Sequence, residues 1–181
     1  MANTFTKIAT VTVGSGGASS IDFSSIPTDG TYTDLCLKLS LRSTNNSNAR
    51  DYFMLRFNGS SSSIYSNRWM MGYDSGSTVS SSGSSQSYQN TFSADANDAT
   101  ANTFGNAEFY FPNYAGSNNK SLSADWVVEN NSSSFYAVGL TAGLWGSTSA
   151  INQITIYPSN PTPSGNWSQY STATLYGIKK S

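Results

Sequence analysis

Leu35-Cys36-Leu37-Lys38-Leu39-Ser40-Leu41-Arg42 sets a leucine at every second position, with small or charged residues between. A period of two belongs to a β-strand with one buried face; an amphipathic helix would space its apolar residues by three and four. The same period continues on both sides. Upstream, Ala9, Val11 and Val13 form one strand, and Ile21 to Phe23 a short second one. Downstream come Phe53-Leu55-Phe57, a weaker run from Tyr65 to Tyr73, and Ala107-Phe109-Phe111. Leu122-Ala124-Trp126-Val128, Tyr136-Val138-Leu140-Ala142-Leu144, Ile154-Ile156 and Tyr170 to Ile178 complete the series.

Turn formers separate these runs: Asp29-Gly30, Asn45 to Asn48, Asn58-Gly59, Ala115 to Asn119, Asn130 to Ser134 and Ser159 to Gly165. Leu55-Arg56-Phe57-Asn58-Gly59 reads as a hairpin. Two longer polar stretches, Ser75 to Ser87 and Ser93 to Thr103, read as loops. Roughly nine to eleven strands with no helical stripe give an all-β fold, a two-sheet antiparallel β-sandwich of jelly-roll type. Residues 1–181 form a single domain, with 1–13 available as an N-terminal attachment strand.

Only 10% of the 181 residues are charged, against about 25% in an average globular protein. Ser, Thr and Asn make up about two-fifths of the chain. A net charge of -1 with 4 Trp, 11 Tyr and 9 Phe argues for a folded domain rather than a disordered one. The sequence contains no histidine, which removes Ser-His-Asp and Cys-His catalysis and the commonest transition-metal ligand. The one cysteine, Cys36, excludes an internal disulfide and a thiolate zinc site. It points away from the leucine face and reads as inert. Balanced charge leaves no footprint for nucleic acid, and no apolar run reaches the ~20 residues of a membrane span.

Three sets of side chains are candidates for chemistry. Glu108 and Glu129, with Asp125 near the second, are the carboxylates that a glycoside hydrolase would need as a pair. They sit at polar strand positions without a motif, and the expectation is that the chain is not an enzyme and has no catalytic residue. Asp95, Asn97 and Asp98, with Asn102 and Asp74, form the densest oxygen cluster, but calcium-loop spacing is missing. No metal and no cofactor is expected. Among the aromatics, Trp126 shares a face with Leu122 and Val128 and reads as core. Trp145, Trp167 and Tyr170 lie near strand ends and polar connections, and are the candidates for contact with a glycan or a partner.

Several strands also carry apolar residues on both faces: Tyr52 and Met54 oppose Phe53 and Leu55, Met70 opposes Trp69 and Met71, and Val127 opposes Trp126 and Val128. A sandwich strand has one face for the core, so the second face calls for a neighbouring copy. A homo-oligomer with an uncharged contact is expected, a trimer ahead of a dimer.

Finally, Tyr32-Thr33-Asp34-Leu35, Leu55-Arg56-Phe57-Asn58-Gly59 and Leu175-Tyr176-Gly177-Ile178 occur in an order that, from Ser20 to the end, resembles small virion-associated proteins of tailed bacteriophages, particularly of marine and freshwater hosts. The resemblance implies a sandwich made in the host cytoplasm and exposed on the virion, with other virion proteins as partners. A capsid-decoration or head-fibre protein is the first expectation. A tail-fibre or receptor-binding domain recognising host surface glycans is the alternative.

Overall fold

Leu35, Leu37, Leu39 and Leu41 are all buried, and the strand that carries them lies inside the larger of two sheets. The computed structural model describes residues 4–45, 49–74, 76–131, 135–158 and 165–179. The expected turns at Asn45–Asn48, Asn130–Ser134 and Ser159–Gly165 therefore lie partly outside the described residues, as do residues 1–3 of the expected attachment strand.

The described residues form twelve strands and no helix. They are β1 (Phe5–Thr12), β2 (Ile21–Phe23), β3 (Asp34–Leu41), β4 (Arg50–Phe57), β5 (Tyr65–Tyr73) and β6 (Ser77–Gln86). Then follow β7 (Gln89–Asp95), β8 (Gly105–Phe111), β9 (Lys120–Val128), β10 (Ala137–Trp145), β11 (Ile154–Pro158) and β12 (Thr172–Ile178). An eight-stranded sheet, β1-β12-β3-β8-β9-β10-β5-β6, faces a four-stranded one, β2-β11-β4-β7. Every pairing is antiparallel. The all-β sandwich read from the sequence is the fold.

Four pairings describe its wiring: β1 with β12, β2 with β11, β3 with β8, and β4 with β7. They nest in chain order and alternate between the sheets. On the large-sheet side β9-β10 and the β5-β6 hairpin extend the sheet beyond these pairs. β1 is an edge strand of its own sheet, bonded along β12 and open on its other side.

The core between the sheets is aromatic, which suits a chain poor in large aliphatic residues. Phe92 meets Phe109 edge-on at 4.6 Å and Phe57 meets Phe111 edge-on at 5.7 Å, while Phe53 touches Phe92, Phe109 and Trp167. Such ring pairs add about 0.5–1.5 kcal/mol each beyond burial.

Two of the segments that carried the resemblance meet at one end of the sandwich. Leu35 pairs with Gly177, Thr33 N–H donates to Ile178 O at 2.8 Å, and the Tyr32 ring lies on Gly177. A methyl group at Gly177 would fall 2.3 Å from that ring, so the glycine is what lets the tyrosine close the end.

Four local expectations are corrected. Ser77–Gln86, read as loop, is strand β6. Only Val79 packs against the core, and no residue of the strand is fully buried, so no hydrophobic period marks it. The second polar stretch begins inside β7, where Phe92 and Ala94 are fully buried and Asp95 ends the strand. Asn58 and Gly59, with φ of 51° and 65°, do make a tight turn closed by Ser60 N–H to Phe57 O. The turn is not a hairpin, however: β4 lies in the small sheet and β5 in the large one. The Tyr65 hydroxyl, accepting from Phe57 N–H and donating to Ser60 O, holds the turn against the other sheet.

The fourth correction is the facing of β10. Val138, Leu140 and Leu144 point outward, while Ala137, Gly139, Thr141, Gly143 and Trp145 point into the sandwich. The small inward residues make room for large neighbours: the Trp126 indole lies over Gly139, and the Gln89 amide over Gly143. A methyl at Gly139 would sit 2.2 Å from Trp126 Cζ2. Gly139→Ala is therefore expected to destabilise the fold by about 2–3 kcal/mol through overpacking, read as a lower urea midpoint at unchanged slope.

Candidate interaction face

The outward side chains of β9, β10, β5 and β6 form a grid whose rows follow from strand register. Asp125, Leu140, Met70 and Ser80 lie across one row; Ser123, Ala142, Arg68 and Ser82 across the next. Val127, Val138, Gly72 and Thr78 flank the first row, and Ser121, Leu144 and Ser66 flank the second. Val138, Leu140 and Met70 are each more than half exposed (56%, 55% and 56%), and Leu144 is 38% exposed. Scattered exposed apolar residues are ordinary, but Val138, Leu140 and Met70 adjoin on two paired strands, with Leu144 one outward position beyond Ala142, and form a patch. Three depressions, of about 300, 680 and 480 Å³, run along this face where glycine, alanine and serine lie beside the larger side chains. Arg68 borders the two larger ones.

On β4 the expected second apolar face is covered by the chain itself. Met54 is fully buried on the outward side of the small sheet, between Tyr52 and Arg56 and opposite Tyr157. Arg56 lies 5.6 Å over the Tyr157 ring and donates to Ser87 O, while Arg50 sits 4.3 Å over Tyr52 and 3.8 Å over Phe135. Arginine stems and aromatic rings roof the methionine, so a partner is not required there. Of the second apolar faces expected from the sequence, the one left uncovered among the described residues is that of Met70, continued by β10.

The three aromatics singled out from sequence do not come together at the surface. Trp145 is buried against Phe57 and Tyr65, at 5.6 and 6.3 Å. Trp167 is fully buried, edge-on to Phe53 at 6.0 Å, with Nε1–H donating to Ile156 O at 3.1 Å. Neither indole offers a face to a sugar, because core rings occupy it. Tyr170 is 68% exposed, held at φ 71° in the turn before β12. The outward stripe on β10 is visible in the sequence, but its period is that of a core-facing run.

Of the three carboxylates, Glu108 and Asp125 lie side by side on β8 and β9, and Glu129 lies apart from them. Glu108 forms an ion pair with Lys38 at 2.7 Å on the outer face, directly beside Asp125 in register. Glu129 lies past the end of β9, where its side chain accepts from Asn131 N–H. The oxygen cluster of the second polar stretch is organised around a cation from the chain itself. Arg42 Nη1 donates to Thr100 O, Thr103 O and Thr103 Oγ1, and Nη2 to Asn97 O and Ala99 O, at 2.9–3.3 Å. Asp95 is buried and accepts from Asn130 Nδ2. Among the described residues no three acidic, histidine or cysteine side chains lie within reach of one metal ion. Cys36 is buried under its register neighbours Tyr110 and Tyr176; burial, reinforced by the Glu108 charge, pushes its thiol up to about 11. It stays protonated at neutral pH. No helix among the described residues is long and apolar enough to cross a membrane.

No family model matches the chain, and no curated protein does. Among solved structures it is similar to the enzymatically active domain of tailspike protein 2 of bacteriophage CBA120, at 11% identity and a TM-score of 0.33. The similarity covers 98% of this chain and 29% of the other, so the chain spans less than a third of the length of the protein it matches. At that TM-score the likeness carries no argument about role or site. The expectation that the chain is not an enzyme is withdrawn: the matched domain is described as enzymatically active, and a lack of histidine does not by itself exclude an activity for this chain.

Proposed function

We propose that the chain is a structural subunit of a tailed-phage particle, of the capsid-decoration or head-fibre type, seated on its neighbours through the outer face of β9, β10, β5 and β6. The observation that carries this reading is the apolar stripe of Val138, Leu140, Leu144 and Met70, exposed together on one face of a chain rich in Ser, Thr and Asn. Water is a poor solvent for such a stripe, and assembly is the event that removes it from water. The resemblance of the chain's segments to phage virion proteins supplies the setting. The glycan-binding alternative keeps one surface aromatic, Tyr170, of the three it began with.

The experiment is quantitative protein composition of purified particles, with the chain's position located by labelled antibody. High copy number on the head is the expected result; low tens of copies at the tail would establish the tail-fibre alternative instead. Leu140→Asp is expected to fold with the wild-type circular dichroism spectrum and to be depleted at least tenfold from the particles. Normal incorporation of that variant would rule out this face.

A further inference from the structure

We propose that the partner on this face is a second copy of the same chain, the two outer faces meeting about a two-fold axis that runs over β10, so that Arg68 of each copy meets Asp125 of the other. This rests on the docking reading above and names its occupant. The four strands carry one positive and one negative charge on the outer face, Arg68 on β5 and Asp125 on β9, one on each side of β10. Arg68 has no ion-pair or hydrogen-bond partner among the described residues. Asp125 stands beside Glu108, whose charge Lys38 already neutralises, and is left as the unmatched anion of its row.

Register separates Arg68 and Asp125 by two strands and one row, ~12 Å, with the midpoint on β10 between Leu140 and Ala142. Placed over that midpoint, a two-fold axis in the plane of contact exchanges the two positions. It brings Leu140 near its own copy and forms two equivalent arginine–carboxylate pairs on either side. A single charge of each sign is hard to bury against an unrelated apolar partner, where both would be left unpaired; self-mating satisfies both. A face that meets itself is isologous and closes at two copies, so this contact gives a dimer where the sequence led to the expectation of a trimer.

The test is sedimentation equilibrium of the full chain and its variants up to ~100 µM. The wild type is expected to have the mass of two chains, with Leu140→Asp, Arg68→Asp and Asp125→Arg each raising the dimer Kd about tenfold or more. The double variant R68D/D125R is expected to return to within about threefold of wild type, a recovery that a misfolded chain cannot show. Failure of the double variant to recover would overturn the Arg68–Asp125 pairing, and a dimer indifferent to Leu140→Asp would overturn the use of this face. A three-chain mass would overturn the two-fold. A wild type that stays monomeric would overturn self-association; Leu140-dependent incorporation into particles would then still uphold docking on a different virion protein.

Discussion

Arg42→Met is expected to lower the unfolding free energy by about 4 kcal/mol, because it leaves four buried or half-buried carbonyl groups of residues 97–103 without their donor. In a domain of this size that is a fall of roughly 8–16 °C in melting temperature. The segment has little else to fold around. Its own short bonds run from Ala99 N–H to Ala96 O, from Thr103 N–H to Thr100 O and from Thr103 Oγ1 to Thr100 O. The backbone of Arg42 is tied in turn: its carbonyl accepts from Ser168 N–H and from Ser171 Oγ. Arg42 therefore joins the end of β3 to two separate connections, residues 97–103 through its guanidinium and residues 168–171 through its backbone carbonyl. Arg42→Lys keeps the charge but cannot span the same carbonyls with three donors on one nitrogen, and is expected to recover about half the loss. Urea unfolding of the three proteins measures it; an Arg42→Met midpoint equal to wild type would mean the loop does not depend on this contact. Lys120 plays the same part in the turn that follows β8. It is buried, donates to Gly116 O and Asn118 O, and has its pKa lowered by that burial.

Trp167→Ala is expected to cost about 3–5 kcal/mol, the range for removing a large aromatic from a packed core. The indole is fully buried, its N–H is bonded to Ile156 O, and Phe53 packs against it. The backbone bridges of Trp167 to Ala18 and Ser43 survive the substitution, so the loss reports the side chain. Tyr170→Ala, three residues on and exposed, is expected to change stability by less than about 0.5 kcal/mol. Thermal unfolding of both variants separates the two roles. If Trp167→Ala melted with wild type, the indole would belong to the surface and the glycan-contact reading from the sequence would regain its platform.

Strand identity was legible wherever one face of a strand is buried, as in Leu35 to Leu41, Phe53 to Phe57, Ala107 to Phe111 and Leu122 to Val128. Burial writes itself into sequence as alternation, and alternation is local. β6 was not legible, since an edge strand with only Val79 touching the core is under little pressure to alternate. The direction in which β10 faces was not legible either. Apolar residues at 138, 140 and 144 have the same period whether they enter the core or leave it, and the sign is set by Trp126 and Gln89 reaching across to Gly139 and Gly143. The indoles of Trp145 and Trp167 sit near strand ends in the chain but deep in the sandwich, because long-range packing, not position along a strand, determines depth. What the sequence by itself determined is the class of fold and the coat of hydroxyl and amide groups, both functions of nearest-neighbour pattern and composition. Only the tertiary structure decided which apolar stripe is left in water, and that Arg42 supplies the cation at the oxygen-rich loop. Both depend on contacts between residues far apart in the chain, to which a local period carries no information.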